Sequence, residues 1–325
     1  MRDGFLYCYS RSDSLSIFTK FSDYRAIRHY HSVMAVSSTI LRLRALKIYA
    51  LRLLLARFVT KYFISGDGIA KLCDYEPFPP RTLFQSKVNI AKLKVAKSIF
   101  VPGHMVDYFL LNFSEEISAN VLVFGNSDRD YMNLELMLPK SVRRVFLQNS
   151  HIDNEKYSVL PIGVENLRYG KNGFKRYFTY KTEDQDKVGR ILVGPFSATH
   201  AERLELLEWK WVTDERVYFQ EEFMSNREIS SLSRKFKFVA CPRGNGTDTH
   251  RFWETLYRGS IPVVLDTVWS RQIQNLGIPC LLVPNWKIES VLAKMDSSTI
   301  AAFNPSEVAP LWLRFWEDKI RSDSE

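Results

Sequence analysis

One run in the C-terminal half constrains this chain more than any other. It reads Phe238-Val239-Ala240-Cys241-Pro242-Arg243-Gly244-Asn245-Gly246-Thr247-Asp248-Thr249-His250-Arg251-Phe252-Trp253-Glu254, and continues through Gly259 to Ile261-Pro262-Val263-Val264. An apolar strand over Phe236 to Cys241 is stopped by Pro242 and by Gly244-Asn245-Gly246, which force a tight turn. A helix follows to about Arg258, with Asp248 or Thr247 as its N-cap and Gly259 as the residue that ends it. A second apolar strand begins at Ile261. Strand, glycine loop, helix and strand in this order are the parts of an α/β domain that binds ligands at the carboxyl ends of its strands.

The polar residues of the run sit where such a ligand would be. Two glycines let a backbone come close to a bound group, and turn N–H groups can point at an anion. Arg243 offers a planar fork suited to phosphate. On the helix, His250, Glu254 and Tyr257 share one stripe, while Phe252, Trp253 and Leu256 fall on the core side. A carboxylate such as Glu254 accepts two hydroxyl hydrogen bonds well, which suits a ribose. The bland alternative is an ordinary strand-to-helix turn with solvated charges.

The run resembles the donor-binding segment of the exostosin-like glycosyltransferases. These carry a Ser- or Cys-Pro-Arg-Gly loop, a helix bearing glutamate, and Gly-x-Ile/Val-Pro-Val. The similarity spans about Gly189 to Trp286. It implies an α/β GT-B fold, with two Rossmann-like domains whose parallel sheets face a cleft. It also implies sugar transfer from a UDP- or GDP-linked donor to a glycan or lipid-linked hydroxyl, inverting, with no metal or other cofactor. Carried onto this chain, Arg243, Gly244, Asn245 and Gly246 hold the diphosphate and Glu254 holds the ribose. Asp248, His250 and Arg251 then stand beside the donor sugar or phosphates.

The N-terminal half is similar to the same family at Val121-Leu122-Val123-Phe124-Gly125-Asn126-Ser127-Asp128, a strand with a polar end. Similar proteins often have His-Asn-Ser-Asp there, and this chain has Gly125 in place of the histidine. Val145 to Asn149 and Leu160 to Asn166 also look like the family's strand-end loops. Asp128 is the first candidate for the base that deprotonates the acceptor, and Glu165 the second. Both also fit plain turn chemistry. A catalytically degenerate protein of this fold, holding a sugar or nucleotide without turnover, is the alternative function. Asp128-Arg129-Asp130 and Asp184-Gln185-Asp186 match the Asp-x-Asp of metal-dependent GT-A transferases, a short pattern that solvated turns also produce.

From Lys87 onward strands and helices alternate, the mark of parallel sheets. Strands are expected at Ser98–Val101, Val121–Phe124, Val145–Gln148 and Val159–Ile162, then from Gly189, at Val217–Phe219, Phe236–Cys241, Ile261–Leu265 and Cys280–Val283. Helices are expected over Thr199–Trp209 and Pro305–Ile320. The divisions follow: residues 1–86 a basic, partly helical segment, 87–180 an acceptor domain, 188–300 a nucleotide-sugar domain, and 301–325 a terminal helix packing back. Tyr169 to Lys187, polar and aromatic, reads as the linker.

Charge and cysteine content exclude other classes. Residues 1–65 hold eleven Lys and Arg against three Asp and Glu, so +8 of the formal +9 lies there and the rest is near neutral. That argues against a nucleic-acid partner for the body of the protein. Cys8, Cys73, Cys241 and Cys280 have neither zinc-ligand spacing nor a disulfide framework. Ile40 to Ile64 reads as a basic helix, broken by Gly66-Asp67-Gly68. It suits peripheral contact with anionic lipid, or packing on the first domain with basic stems over apolar surface. No signal peptide is visible, and a glycan on the sequon Asn245-Gly246-Thr247 would block the loop; both favour a cytoplasmic location.

Overall fold

The computed structural model describes residues 62–79, 87–129, 137–169, 173–181 and 186–325. By its contacts the chain divides into Met1–Leu54 and Leu55–Glu325, and all described residues belong to the second unit. Most of the basic segment at 40–64, with its proposed lipid contact, lies outside the described residues, as do Asp130, Asp184 and Gln185.

The protein is α/β, with two parallel sheets. The first has β1 (Ser98–Pro102), β2 (Val121–Gly125), β3 (Arg144–Leu147) and β4 (Tyr157–Val159) in simple sequential order. Its register sets Phe100 beside Val123 and Val123 beside Phe146. The second contains β5 (Val188–Val193), β6 (Val217–Phe219), β7 (Phe236–Ala240), β8 (Ile261–Leu265) and β9 (Leu281–Val283), in the order β6-β5-β7-β8-β9. All pairs in both sheets are parallel. β4 ends earlier than the apolar run at Val159–Ile162 suggests. Leu160 still donates to the Leu147 carbonyl at 2.8 Å, but Pro161 has no N–H to continue the ladder.

Every residue of β1 and β2 is buried, so both sheet faces are covered. One outer layer packs Ile99, Leu122 and Val145 with α2 (Ile90–Val95) and α3 (Val106–Phe113). The other packs Ile191, Phe238 and Val263 with α4 (Ala201–Leu207) and α8 (Ile288–Asp296). Between the sheets lies one shared core. Phe100, Val123 and Phe146 reach it from the first sheet, and Leu192, Val239 and Val264 from the second. α1 (Gly66–Ala70), α6 (His250–Tyr257), α7 (Val268–Asn275) and α9 (Leu313–Ser324) fill it, with Trp253, Trp269 and Trp316 as its largest buried rings.

The ends of the described chain are built into this core. Tyr62 to Ile64 is not helical, Phe63 and Ile64 are buried, and Phe63 bridges to Trp312. Gly66-Asp67-Gly68 starts α1, capped by the Ser65 side chain on the Gly68 N–H. The terminal helix begins at Leu313 rather than Pro305, because Pro310 sits in a preceding 3-10 turn. It packs on the first sheet, where Asn120 Nδ2 donates to the Ser324 carbonyl and Arg144 pairs with Asp323 at 3.3 Å. Part of the segment read as linker is also packed in: Phe178 is buried, and the Tyr177 carbonyl accepts from Ser230 Oγ and Arg258 Nε.

Tyr257 ties these pieces together. Its hydroxyl accepts from the Ile64 N–H at 3.0 Å and donates to the Leu311 carbonyl at 2.7 Å. Tyr257→Phe leaves both groups buried and unpaired, so it is expected to destabilise the protein by about 2–4 kcal/mol. Urea unfolding of the two proteins would check this, and a loss under about 0.5 kcal/mol would mean that water or another group replaces the hydroxyl.

Candidate functional site

The glycine loop joins β7 to α6, at the carboxyl edge of the second sheet. α6 begins at His250, with Thr249 as its N-cap and no side-chain cap bond. Neither Asp248 nor Thr247 caps it. The helix ends at a Schellman turn: Ser260 N–H reaches the Thr255 carbonyl, Gly259 N–H the Leu256 carbonyl, and Gly259 takes a φ of +70°.

Across the loop lies the carboxyl edge of the first sheet, and the two edges touch. Asn245 Nδ2 reaches Asp128 Oδ2 at 3.4 Å. Thr247 Oγ1 is 3.3 Å from His151 Nε2. The Asp248 N–H donates to Asn149 Oδ1 at 2.8 Å, and Asn149 Nδ2 donates to the Ser127 carbonyl. His250 Nδ1 lies 2.8 Å from the Gly163 carbonyl. The loops after β2, β3 and β4 therefore all contact the glycine loop or the start of α6.

This seam changes what several residues do. Asp248 is 2% exposed, with one oxygen accepting from the Ile162 N–H and the other from Trp253 Nε1, each at 2.7 Å. It is a strut between the two sheets, not a group turned toward a donor sugar. The reason is local: the buried Trp253 indole, five residues on, needs an acceptor. Burial pushes the Asp248 carboxyl up to about 7, against the N–H donors that pull it down. Tyr257, expected on the site stripe, is buried in the core instead.

The glycines also have different neighbours from those expected. A Cβ on Gly246 would stand 2.6 Å from Asn149 Oδ1, and one on Gly244 would stand 2.8 Å from Arg203 Nη2. Each glycine admits a side chain from another element rather than open space for a ligand. Three loop N–H groups are also occupied: Arg243 on Glu202 Oε2, Gly244 on the Gly246 carbonyl, and Asp248 on Asn149.

The remaining site residues line a cleft of about 260 Å³ between α5 (Asn226–Ser233) and α6. Leu192, Gly194 and Val239 form its wall from β5, the residue after it, and β7. These two strands are where the sheet order reverses, the topological switch point at which open α/β sheets bind ligands. Glu254 lines the cleft with its side chain 20% exposed, 3.6 Å from Arg258. Arg251 lines it too, but its guanidinium is committed to the Gly194 and Pro195 carbonyls and stacks 4.7 Å from Phe196. Burial lowers the pKa of both Arg251 and Arg258, with Glu254 opposing the shift. Phe223, 74% exposed, and Met224 supply an apolar rim.

Of the two candidate bases, Asp128 is exposed and adjoins the glycine loop, whereas Glu165 is half-buried on the loop beyond β4. Asp67 is a third carboxylate at this edge. Its N–H donates to Asn166, its carboxylate meets Asn126 Nδ2 at 3.3 Å and Arg168 at 3.2 Å, and burial raises its pKa. Asn126 is held there in the left-handed region, at a φ of 52°. Gly125, in place of a histidine, ends β2 between Phe100 and Leu160, which would stand within 3.1–3.2 Å of any Cβ. Among the described residues no group of three His, Cys, Asp or Glu side chains could hold a metal ion, and no helix is long and apolar enough to cross a membrane. No family model matches the sequence, and no curated protein matches it at a significant level.

Proposed function

We propose that this chain is an exostosin-like glycosyltransferase of GT-B type, moving a sugar from a UDP- or GDP-linked donor to a hydroxyl of a glycan or lipid-linked acceptor. The observation that carries the reading is the cleft at the β5–β7 strand-order reversal, lined by a carboxylate, Glu254. Its apolar rim at Phe223 and Met224 suits a base, and Glu254 suits the ribose hydroxyls. The β5 loop leads from there, through Arg251, toward the glycine loop and Arg243. Asp128 stands against Asn245 on the far side of that loop.

In the proposed reaction, the Asp128 carboxylate takes the proton of the acceptor hydroxyl. The acceptor oxygen bonds to the anomeric carbon as the bond from that carbon to the phosphate oxygen breaks, and the nucleoside diphosphate leaves with the electron pair. Direct displacement inverts the anomeric centre. Guanidinium groups at the loop offset the leaving charge.

The test is thermal unfolding with UDP, GDP, CMP and their sugars, on the wild type and on Glu254→Ala. A ligand at about a hundred times its dissociation constant adds roughly 2.7 kcal/mol. One nucleotide class is expected to stabilise the wild type, and the variant is expected to lose that shift while unfolding normally without ligand. Equal shifts in both proteins would remove Glu254 from the site. Gly125 favours one second reading, a nucleotide- or sugar-binding protein without turnover, since no side chain at that position can act as a base. Stabilisation without sugar release or transfer across an acceptor panel would select it.

A further inference from the structure

The outer layer of the first sheet carries a face that the candidate site does not use. Residues 87–97 hold four lysines, Lys87, Lys92, Lys94 and Lys97, and no acidic residue. All four lysines are exposed. α2 buries only Leu93, and Val95 at its end is 78% exposed. On α3, Tyr108 and Leu111 stand three residues apart and so share one side of the helix. Leu111 is 77% exposed. The outward side of a packed helix is ordinarily polar, so bare aliphatic side chains among lysines call for an occupant.

These residues belong to one surface. The turn after α3 is held against α2: the Ser118 N–H donates to the Leu93 carbonyl, and Lys94 pairs with Glu116 at 2.9 Å. Ser141 Oγ donates to the Ile117 carbonyl on the same turn at 2.9 Å. That bond brings in the segment before β3, where Met137, Lys140 and Arg143 are exposed. The acidic residues here are Asp107, Glu115 and Glu116, and two of them are spent: Glu116 on Lys94, and Asp107 on Arg129 at 2.7 Å. Six basic groups therefore face three acidic ones. α2 leads into the start of β1, which puts Val95 by the amino edge of the sheet. The glycine loop touches the carboxyl edge, so an occupant of this face leaves the cleft open.

We propose that α2, with the outer side of α3, docks on an anionic lipid surface. The occupant follows from the chemistry. Separate aliphatic side chains can enter the boundary between headgroups and acyl chains, while lysine stems lie along it and present their charges to lipid phosphates. Protein interfaces instead favour aromatic and arginine anchors seated in pockets, and lysine is depleted in them. Each lysine beside an anionic bilayer strengthens binding about fivefold. The inference does not depend on the transferase reading, nor on the basic helix expected over residues 40–64.

The experiment is co-sedimentation of the full chain with vesicles of phosphatidylcholine alone and of phosphatidylcholine mixed with phosphatidylserine. The proteins are wild type, Val95→Asp/Leu111→Asp and Lys92→Gln/Lys97→Gln. All four positions are exposed, so thermal unfolding is expected to be unchanged; if one variant is unstable, the other carries the test. Wild type is expected to bind the mixed vesicles and to release them as salt rises. The aspartate pair should weaken that binding about 10-fold or more, and the glutamine pair about 25-fold. No binding by wild type would overturn the proposal, and so would equal binding to both kinds of vesicle. Unchanged affinity in a stable variant would overturn it too, because the contact would then run through another part of the chain. Polyglutamate tests the rival occupant. If the glutamine pair loses polyglutamate binding while the aspartate pair keeps its vesicle binding, the face belongs to an acidic protein.

Discussion

Gly163→Ala is expected to destabilise the protein by about 3–5 kcal/mol, among the largest effects of any single methyl group here. Gly163 has a φ of +66°, where an L side chain costs roughly 1–2 kcal/mol. The added Cβ would stand 2.1 Å from the Ile64 carbonyl oxygen, a backbone atom of a residue whose N–H is held by the Tyr257 hydroxyl and whose side chain is buried. It cannot swing aside as a side-chain tip would. Overpacking against an immovable neighbour adds about 1–3 kcal/mol. The Val164 N–H to Ile64 carbonyl bond and the contact of His250 with the Gly163 carbonyl would both be strained. Gly189→Ala is the control, since nothing lies within 4 Å of a Cβ there, and it should change stability little. Urea unfolding of the three proteins measures the difference. A loss under about 1 kcal/mol in Gly163→Ala would mean that the joint between the segment at Ile64, the first sheet and α6 yields easily.

The parallel sheets were legible because their strands are buried on both faces. Val121 to Phe124 and Ile261 to Leu265 are continuous apolar runs bounded by turn residues, and each forms a strand in place. The order β6-β5-β7 was not legible, because it depends on how the crossovers return, not on any one strand. The site divides along the same line. Glu254 at the cleft follows from local spacing on one helix. Asp248 does not, because its partner Ile162 lies 86 residues away and only the fold brings them together. The contacts of Asn149 with Gly246 and of Arg203 with Gly244 were not legible for the same reason. Their signal was present in the glycines these side chains press against, but a glycine does not announce whether it makes room for a ligand or for a side chain. The helix that starts at Gly66 was not legible either, because two glycines look only like a break, while Ser65 before them supplies a helix cap.

Asp248→Ala should be costly, and the cost should depend on pH in a definite direction. The variant strands the buried Trp253 indole N–H and the half-buried Ile162 N–H on the seam between the sheets. Two unsatisfied donors cost about 2–4 kcal/mol after partial relaxation. The carboxyl itself is held at about 7 in the fold by burial, with the Asp128 charge adding to the shift and the N–H donors opposing it. In the unfolded chain it titrates near about 3.9. Between those values the native state holds a proton that the unfolded state lacks, so stability falls as pH rises. The contribution of the group is thus fully present below about pH 4 and is lost as pH climbs through about 7. The alanine variant has no such slope. Its deficit against wild type is expected to be about 3 kcal/mol near pH 5 and distinctly smaller near pH 8, read from urea unfolding at both pH values. The first consequence would be mechanical: near neutral pH the seam that holds the glycine loop to the first sheet is weaker than in mild acid. A deficit that stays constant, or grows toward pH 8, would show that the hydrogen-bond donors win over burial and that Asp248 keeps its charge throughout.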